Sequence, residues 1–176
     1  MTRFESRKIV FETNQLTVRE LALDDFPAFF EMEGNPNVHR FTGSPVCDEA
    51  AAMSSLRKCI EAYSKTDNDF WVWCIESKTS AEMVGTCAIV SQQNEIGYRI
   101  LERFWGNGYA SEICDRLIDH GLNSMNLPSV FAVVDVLNLA SVKILEQSKL
   151  EFINEQFNEE ENCVDRMYRL DREIPN

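Results

Sequence analysis

The string Trp105-Gly106-Asn107-Gly108-Tyr109-Ala110 is where residue type and spacing point most directly to chemistry. It follows the strand-like run Glu95-Ile96-Gly97-Tyr98-Arg99-Ile100-Leu101. Beyond it Ile113, Cys114, Leu117, Ile118, Leu122 and Met125 recur at helical spacing. A strand that ends in small residues and opens a helix leaves several backbone N–H groups without an intrachain acceptor. Gly106 and Gly108 remove side chains that would keep an anion away and permit positive φ. The helix that begins near Ala110 adds the positive end of its dipole. Such a turn can hold a phosphate or pyrophosphate on peptide amides, although a G-x-G turn also serves as a plain strand-to-helix connection. No G-x-x-x-x-G-K-[ST] occurs, and Gly106-x-Gly108 lacks the third glycine of a dinucleotide fingerprint, so neither nucleotide motif fits.

A turn of this kind needs a sheet behind it. Leu16-Thr17-Val18-Arg19-Glu20-Leu21 alternates apolar with polar, as a strand with one wet face requires. Asp24 and Asp25 can cap a helix carrying Phe26, Phe29, Phe30 and Met32, which Gly34-Asn35-Pro36 ends. Met53, Leu56, Ile60 and Tyr63 predict a second helix between Asp48 and Tyr63. Phe70-Trp71-Val72-Trp73-Cys74-Ile75 and Met83 to Val90 read as a hairpin. After the glycines Pro128 stops the helix, and the nearly all-apolar Val130 to Val136 predicts a strand covered on both faces. Strand, helix and strand in that order make a right-handed crossover, with the glycine turn at the carboxyl end of the first strand. Asn138 to Ser148 supplies a further helix, and Glu151 to Asn158 with Cys163 to Leu170 a closing hairpin. No repeat, linker or low-complexity tract interrupts the chain, so one α/β domain is expected over residues 1–176, its core at about 15–171.

Composition narrows the partners. A formal charge of −12 argues against phosphate-backbone binding and so against nucleic acid. The same charge could draw in a cationic acceptor such as an amine, or serve solubility alone. The six cysteines, Cys47, Cys59, Cys74, Cys87, Cys114 and Cys163, form no C-x-x-C, and several sit in apolar runs. Free thiols in a reducing cytoplasm and no metal are expected. Met1-Thr2-Arg3-Phe4-Glu5-Ser6 lacks the apolar stretch of a secretory signal, and no apolar run is long enough to span a bilayer, so no membrane partner is expected.

Read together, these residues resemble the GNAT superfamily of N-acetyltransferases, in particular its RimJ/RimL branch, which acetylates ribosomal-protein N-termini. Phe11 to Arg19 resembles the branch's first strand and Glu95-Ile96-Gly97-Tyr98 its fourth. Trp105-Gly106-Asn107-Gly108-Tyr109-Ala110-Ser111-Glu112 matches its W-G-x-G-Y-A-x-E signature, and Asn138-Leu139-Ala140-Ser141-Val142-Lys143-Ile144-Leu145-Glu146 resembles its N-x-A-S-x-R-x-L-E. Two motifs in family order are hard to obtain by accident. Lys143 departs from the arginine of the second motif and loses its two-pronged geometry. Lys149 stands where a glycine normally follows, so it must either take a left-handed conformation or end the helix differently.

The resemblance implies a mixed sheet of about seven strands flanked by about four helices, in the layered manner of α/β proteins. It implies an enzyme that moves an acetyl group from acetyl-CoA to a primary amine, of a small molecule or a protein N-terminus, by direct attack in a ternary complex. The turn from Trp105 through Ser111 would hold the pyrophosphate, and main-chain groups of Tyr98, Arg99, Ile100 and Leu101 the pantetheine arm. Asn138, Ser141 and Lys143 would complete the cofactor site, with Ser141 also protonating the departing thiolate and Asn138 orienting cofactor or substrate. Ser141 could instead bond locally in the first turn of its helix. Glu95 could take the amine's proton, directly or through water, or could be an exposed carboxylate at a strand's start. Cys87 and Cys114 are poor nucleophiles, because apolar burial blunts a thiol. His39 and His120 fit no triad spacing and read as surface or packing residues. Phe26, Phe29, Phe30, Phe70, Trp71 and Trp73 could wall an acceptor pocket but read first as core. An acyl-CoA-binding sensor or interaction module without turnover is the alternative, and a monomer or homodimer is expected.

Overall fold

The computed structural model describes residues 7–90 and 93–173. Met1 to Ser6, on which the reading of a missing signal rested, lie outside them. In chain order the elements are β1 (Ile9–Glu12), β2 (Leu16–Arg19), α1 (Phe26–Glu33), α2 (Pro36–His39), α3 (Glu49–Ala62), β3 (Phe70–Ser77), β4 (Met83–Val90), β5 (Glu95–Ile100), α4 (Tyr109–Asp119), β6 (Ser129–Asp135), α5 (Leu139–Gln147), β7 (Glu151–Asn158) and β8 (Cys163–Asp171). The strands form one mixed sheet in the order β1-β2-β3-β4-β5-β6-β8-β7. Only β5 and β6 among the neighbours run parallel. The eighth strand beyond the expected seven is β1, which the sequence reading merged with β2. Its turn closes where the Thr13 N–H donates to the Leu16 carbonyl at 2.9 Å.

Alternation along each central strand feeds two cores. Trp73 and Ile75 of β3 join α4 and α5 residues such as Ile113, Leu117, Val142 and Leu145 on one face. Cys74 points the other way, to Phe29, Met32 and Leu56 of α1 and α3. Leu117 is fully buried, and truncating it to alanine would cost about 2–5 kcal/mol. His120 is buried at the end of α4, its ring 5.0 Å from Phe11 and 5.6 Å from Trp73.

Two expectations are corrected. The polar face of β2 is not wet throughout: Arg19 is buried under the turn Leu23–Asp25, where Asp25 meets it. Nor is β6 covered on both faces. Val130, Ala132 and Val134 are buried, but Phe131 is half-buried and Val133 exposed, because the packing of α1 and α3 on the sheet centres on β4 and β3. The Lys149 question resolves toward a different helix end. Ser148 leaves α5 in extended conformation, its hydroxyl donating to the Leu145 carbonyl at 2.7 Å and accepting the Leu150 N–H at 3.1 Å, so no left-handed residue is needed.

Candidate active site

β5 is paired with β4 along its whole length but meets β6 at a single position, Glu95 beside Phe131. Past that point the two strands part, leaving one edge of β5 free of a neighbouring strand. A cleft of about 750 Å³ opens there. Tyr98, Arg99 and Ile100 floor it. The turn and first residues of α4 (Gly106, Gly108, Tyr109, Ala110, Ser111) form one wall, and Asn138, Ala140, Ser141, Lys143, Ile144 and Gln147 the wall opposite. The remaining side is the end of α2 and the loop after it, Asn37, Val38, Arg40, Phe41 and Thr42.

The turn is built to keep its amides free. Gly106 and Gly108 have φ of 82° and 79°, a left-handed conformation that glycine alone adopts cheaply, and a Cβ at either would meet nothing within 4 Å. The glycines are therefore demanded by the backbone while the space outside them stays open. The first bond of α4 runs from the Glu112 N–H to the Gly108 carbonyl at 3.1 Å. Among the described residues no protein group accepts the N–H of Gly106 through Ser111. Trp105 folds the turn back on β5, its indole N–H donating to the Ile100 carbonyl at 2.7 Å, with half of the residue exposed. Glu112 fixes the base of α4 by accepting the Gln15 backbone and side-chain N–H groups, each at 2.8 Å. Burial pushes this carboxyl up, but the Gln15 bonds outweigh it and the pKa lies below the ordinary range.

Across the cleft, Asn138 caps α5. Its Oδ1 accepts the Ser141 N–H at 3.2 Å, which sets Ser141 in the first helical turn facing the cleft. Beside it lies the Tyr98 hydroxyl, buried and close to Ser141, but with no contact to a described protein group that meets hydrogen-bond geometry. Burial chiefly, with Cys114 adding, drives that hydroxyl's pKa up, while the nearby Ser141 works weakly against the rise. Lys143 is exposed on the same wall and makes no ion pair among the described residues.

Three of the expected site residues do not line this cleft. Leu101 is fully buried and its N–H is committed to the Val84 carbonyl at 2.9 Å. Asn107 turns its side-chain amide to the Phe104 carbonyl at 2.9 Å. Glu95 begins β5 on the face that Arg99 shares, its carboxyl pushed above the ordinary value by burial and then by Asp165. Conversely, the segment from Asn37 to Thr42 was not foreseen. A signal for it existed: Asn35 caps α2 by accepting the Asn37 N–H at 2.8 Å, and Pro36 occupies the first turn, so Asn35-Pro36 starts a helix as well as ending one. Phe26, Phe29, Phe30, Phe70, Trp71 and Trp73 do not line the cleft.

A family model, the acetyltransferase (GNAT) domain, matches residues 15–151. The chain belongs to this GNAT acetyltransferase family. Among its relatives, the uncharacterized N-acetyltransferase p20 of Bacillus licheniformis is 31% identical over 140 residues, covering 76% of this chain and 77% of p20. The uncharacterized N-acetyltransferase YoaA of Bacillus subtilis is 28% identical over 141 residues, 77% of this chain and 79% of its own. The fold is similar to that of the Salmonella typhimurium acetyl transferase that modifies the N-terminal serine of ribosomal protein L7/L12, at a TM-score of 0.80 and 15% identity, over 94% of this chain and 100% of that one. The architecture is thus the GNAT fold.

The arrangement of this GNAT site suits a ligand that is anionic at one end and reactive at the other. At one end stand Lys143 and six N–H groups without an acceptor among the described residues. The Tyr98 and Ser141 hydroxyls supply donors at the β5 end. Cys114 is pushed up to about 12 by burial and then by Asp115, and Cys87 is pushed well above the ordinary thiol value, chiefly by burial, so neither thiol is ionised at neutral pH. No cluster of three or more His, Cys, Asp or Glu that could hold a metal occurs among the described residues. No helix among them is long and apolar enough to cross a membrane.

Proposed function

We propose that this protein transfers an acetyl group from acetyl-CoA to a primary amine by direct attack in a ternary complex. The observation that carries the reading is the continuity of one cleft. It runs from the unpaired amides of Gly106 to Ser111, along the free edge of β5, to the neighbouring hydroxyls of Tyr98 and Ser141. Amides and helix dipole bind the pyrophosphate, and Lys143 adds a point charge. Alternate main-chain groups of β5 between Ile96 and Ile100 extend the sheet onto the pantetheine arm. The thioester then lies at the parting of β5 and β6, where the acceptor's nitrogen attacks the carbonyl carbon. The C–N bond forms as the C–S bond breaks, and the departing sulfur receives a proton from Ser141.

Tyr98 belongs in the same role as a second donor at that spot, because a buried hydroxyl without a partner is costly unless a ligand supplies one. Glu95 sits outside the cleft's lining, so the proton shed by the nitrogen reaches it through water, and burial, then Asp165, raises its pKa in the direction that makes it a better proton acceptor. The relatives carry the N-acetyltransferase name, and solved GNAT neighbours hold coenzyme A or acetyl-CoA, which supports the choice of donor.

Isothermal titration with acetyl-CoA, followed by a free-thiol assay over amino acids, peptides and polyamines, tests this. Binding with thiol release is expected. Binding without release from any amine would leave an acyl-CoA-binding module, and no binding would end the assignment.

A further inference from the structure

We infer that the cleft selects acceptors that carry a carboxylate close to the reacting amine, with Arg99 as the residue that binds it and Arg40 as its outer partner. This rests on the acetyl-transfer reading and names the acceptor class for it. The chain's charge of −12 would suggest a cationic acceptor, but the cleft itself is lined by Arg40, Arg99 and Lys143 against the single carboxylate Glu102. Glu102 is already engaged, one oxygen accepting the Asn35 side-chain amide at 2.7 Å and the other that of Asn37 at 2.9 Å. A polyamine held here would find no free carboxylate among the described lining residues, and would face the unpaired guanidinium of Arg40 and that of Arg99, which Glu33 partly neutralises from behind. Local charge decides such recognition, because exposed charges more than about 8 Å away are screened at physiological salt.

Lys143 lies on the α5 wall, across from the pyrophosphate turn. The two arginines stand on the β5 floor and the α2 side, where an amine would enter. Arg99 is prepared for binding from behind. Its Nη1 donates to Glu33 Oε1 at 2.9 Å, and Glu33 is itself buried within α1. Glu33 is held in turn: its other oxygen lies 3.5 Å from His39 Nε2, and its backbone carbonyl accepts the Cys47 N–H at 2.9 Å. A guanidinium has five N–H donors in a planar fork, and this contact occupies one. The side chain keeps 31% exposure at the cleft, so the remaining donors are offered in a fixed plane, with little rotamer freedom left to lose on binding. Arg40 packs over the Phe41 ring at 5.1 Å and makes no ion pair among the described residues. Two planar forks, one rigid and one exposed, match a carboxylate better than they match a point cation.

Two sources fit this chemistry, the α-carboxylate of a free amino acid and an acidic side chain beside a peptide's N-terminus. Thiol release should be measured with matched acceptors that differ only as acid and amide: free amino acids against their amides, and Ala-Asp peptides against Ala-Asn peptides. Whichever source is real, the acid is expected to be preferred in kcat/KM by about tenfold or more, with the preference shrinking as salt rises. Arg99→Gln should bring the acid-to-amide ratio close to one, and Arg40→Gln should lower it in part. Equal rates for acid and amide in the wild type, or a preference for polyamines, overturn the inference and leave acetyl transfer standing. So does a rise in the KM for acetyl-CoA in Arg99→Gln with the ratio unmoved, since the arginine would then hold the cofactor. If Arg99→Gln does not fold, the salt dependence and Arg40→Gln decide. Acetyl-CoA binding with no thiol release from any acceptor removes the underlying reading, and this inference with it.

Discussion

Two charged regions of the molecule use the same chemistry to opposite ends. Under β2, Arg19 and Asp25 are buried together, with guanidinium-to-carboxylate contacts of 2.9 and 2.8 Å, while Glu76 takes the third nitrogen at 2.7 Å. Asp25 also accepts the Ala22 N–H at 2.8 Å and lies 3.4 Å from Arg7. Burial acts against the Arg19 charge, yet Asp25 and Glu76 together hold its pKa above the usual value. A hollow of about 290 Å³ beside this network is lined by the very groups that neutralise one another, so it offers a ligand little. The cleft past β5 shows the reverse pattern among the described residues: six amides and the Tyr98 hydroxyl without a protein hydrogen-bond partner, and Arg40 and Lys143 without an ion pair. A satisfied polar network builds structure, and an unsatisfied one built at similar cost marks a site.

The largest test breaks the satisfied network. Asp25→Ala leaves Arg19 buried with Glu76 as its remaining carboxylate beside the Glu20 carbonyl, which should cost about 3 kcal/mol. At this chain size the thermal midpoint would fall by roughly 6–12 °C, with the affinity for acetyl-CoA in the folded protein held within about twofold. A large loss of affinity with little change in melting would mean that the two regions are coupled and the contrast is false. Next is the open turn. Gly108→Trp places bulk where the anion should sit and forfeits charge-assisted bonds of about 1.5–3 kcal/mol each, so acetyl-CoA should bind about a hundredfold more weakly or worse. The residue must also keep φ near 79°, which costs about 1–2 kcal/mol in stability. Gly108→Ala carries that strain without the bulk, and equal binding losses in the two variants would argue for a scaffold role. A hundredfold loss in kcat is expected for Ser141→Ala, at nearly constant KM for acetyl-CoA and an unshifted melt, and a smaller one for Tyr98→Phe. If kcat is untouched in both, the hydroxyl pair is packing.

How far this contrast was legible in the sequence depends on the range of the interactions. The turn from Trp105 to Ala110 could be read because glycine's freedom and a helix's unpaired amides are local properties. So could the helix from Asn138 to Ser148 and the paired strands β3 and β4, while Asn138 and Ser141 themselves were singled out only by the family resemblance. The parting of β5 and β6 could not, since Val130 to Val136 reads as doubly covered until the short reach of α1 and α3 is known. The Arg19–Asp25 pair looked like one residue on a wet face and one helix cap. Arg99 was noticed for its backbone, while its side chain's tie to Glu33 spans 66 residues of sequence and leaves no periodic trace. The loop after α2 joins the cleft only through tertiary packing, although Asn35-Pro36 did announce the helix that carries it.

Glu95 lies between the two regimes and gives the smallest effect. Its pKa is raised in the folded protein by burial and by Asp165, so the folded state binds the proton more tightly than the unfolded chain does. The stability linked to that proton is present below the ordinary glutamate range and is lost as pH rises through the shifted value, so at neutral pH the ionised carboxylate weakens the fold. Glu95→Gln keeps the shape and discards the charge. Its melting temperature should rise slightly above wild type near neutral pH and converge on it only well below the ordinary glutamate range, at about pH 3 or lower, where the carboxyl is protonated in both states. Its rate should fall, and the acid limb of the wild-type pH–rate profile should disappear, because a group kept at a cost to stability is kept for proton transfer. A variant that melts lower at neutral pH with its pH–rate profile intact would place Glu95 with Asp25 instead, as a carboxylate whose work is structural.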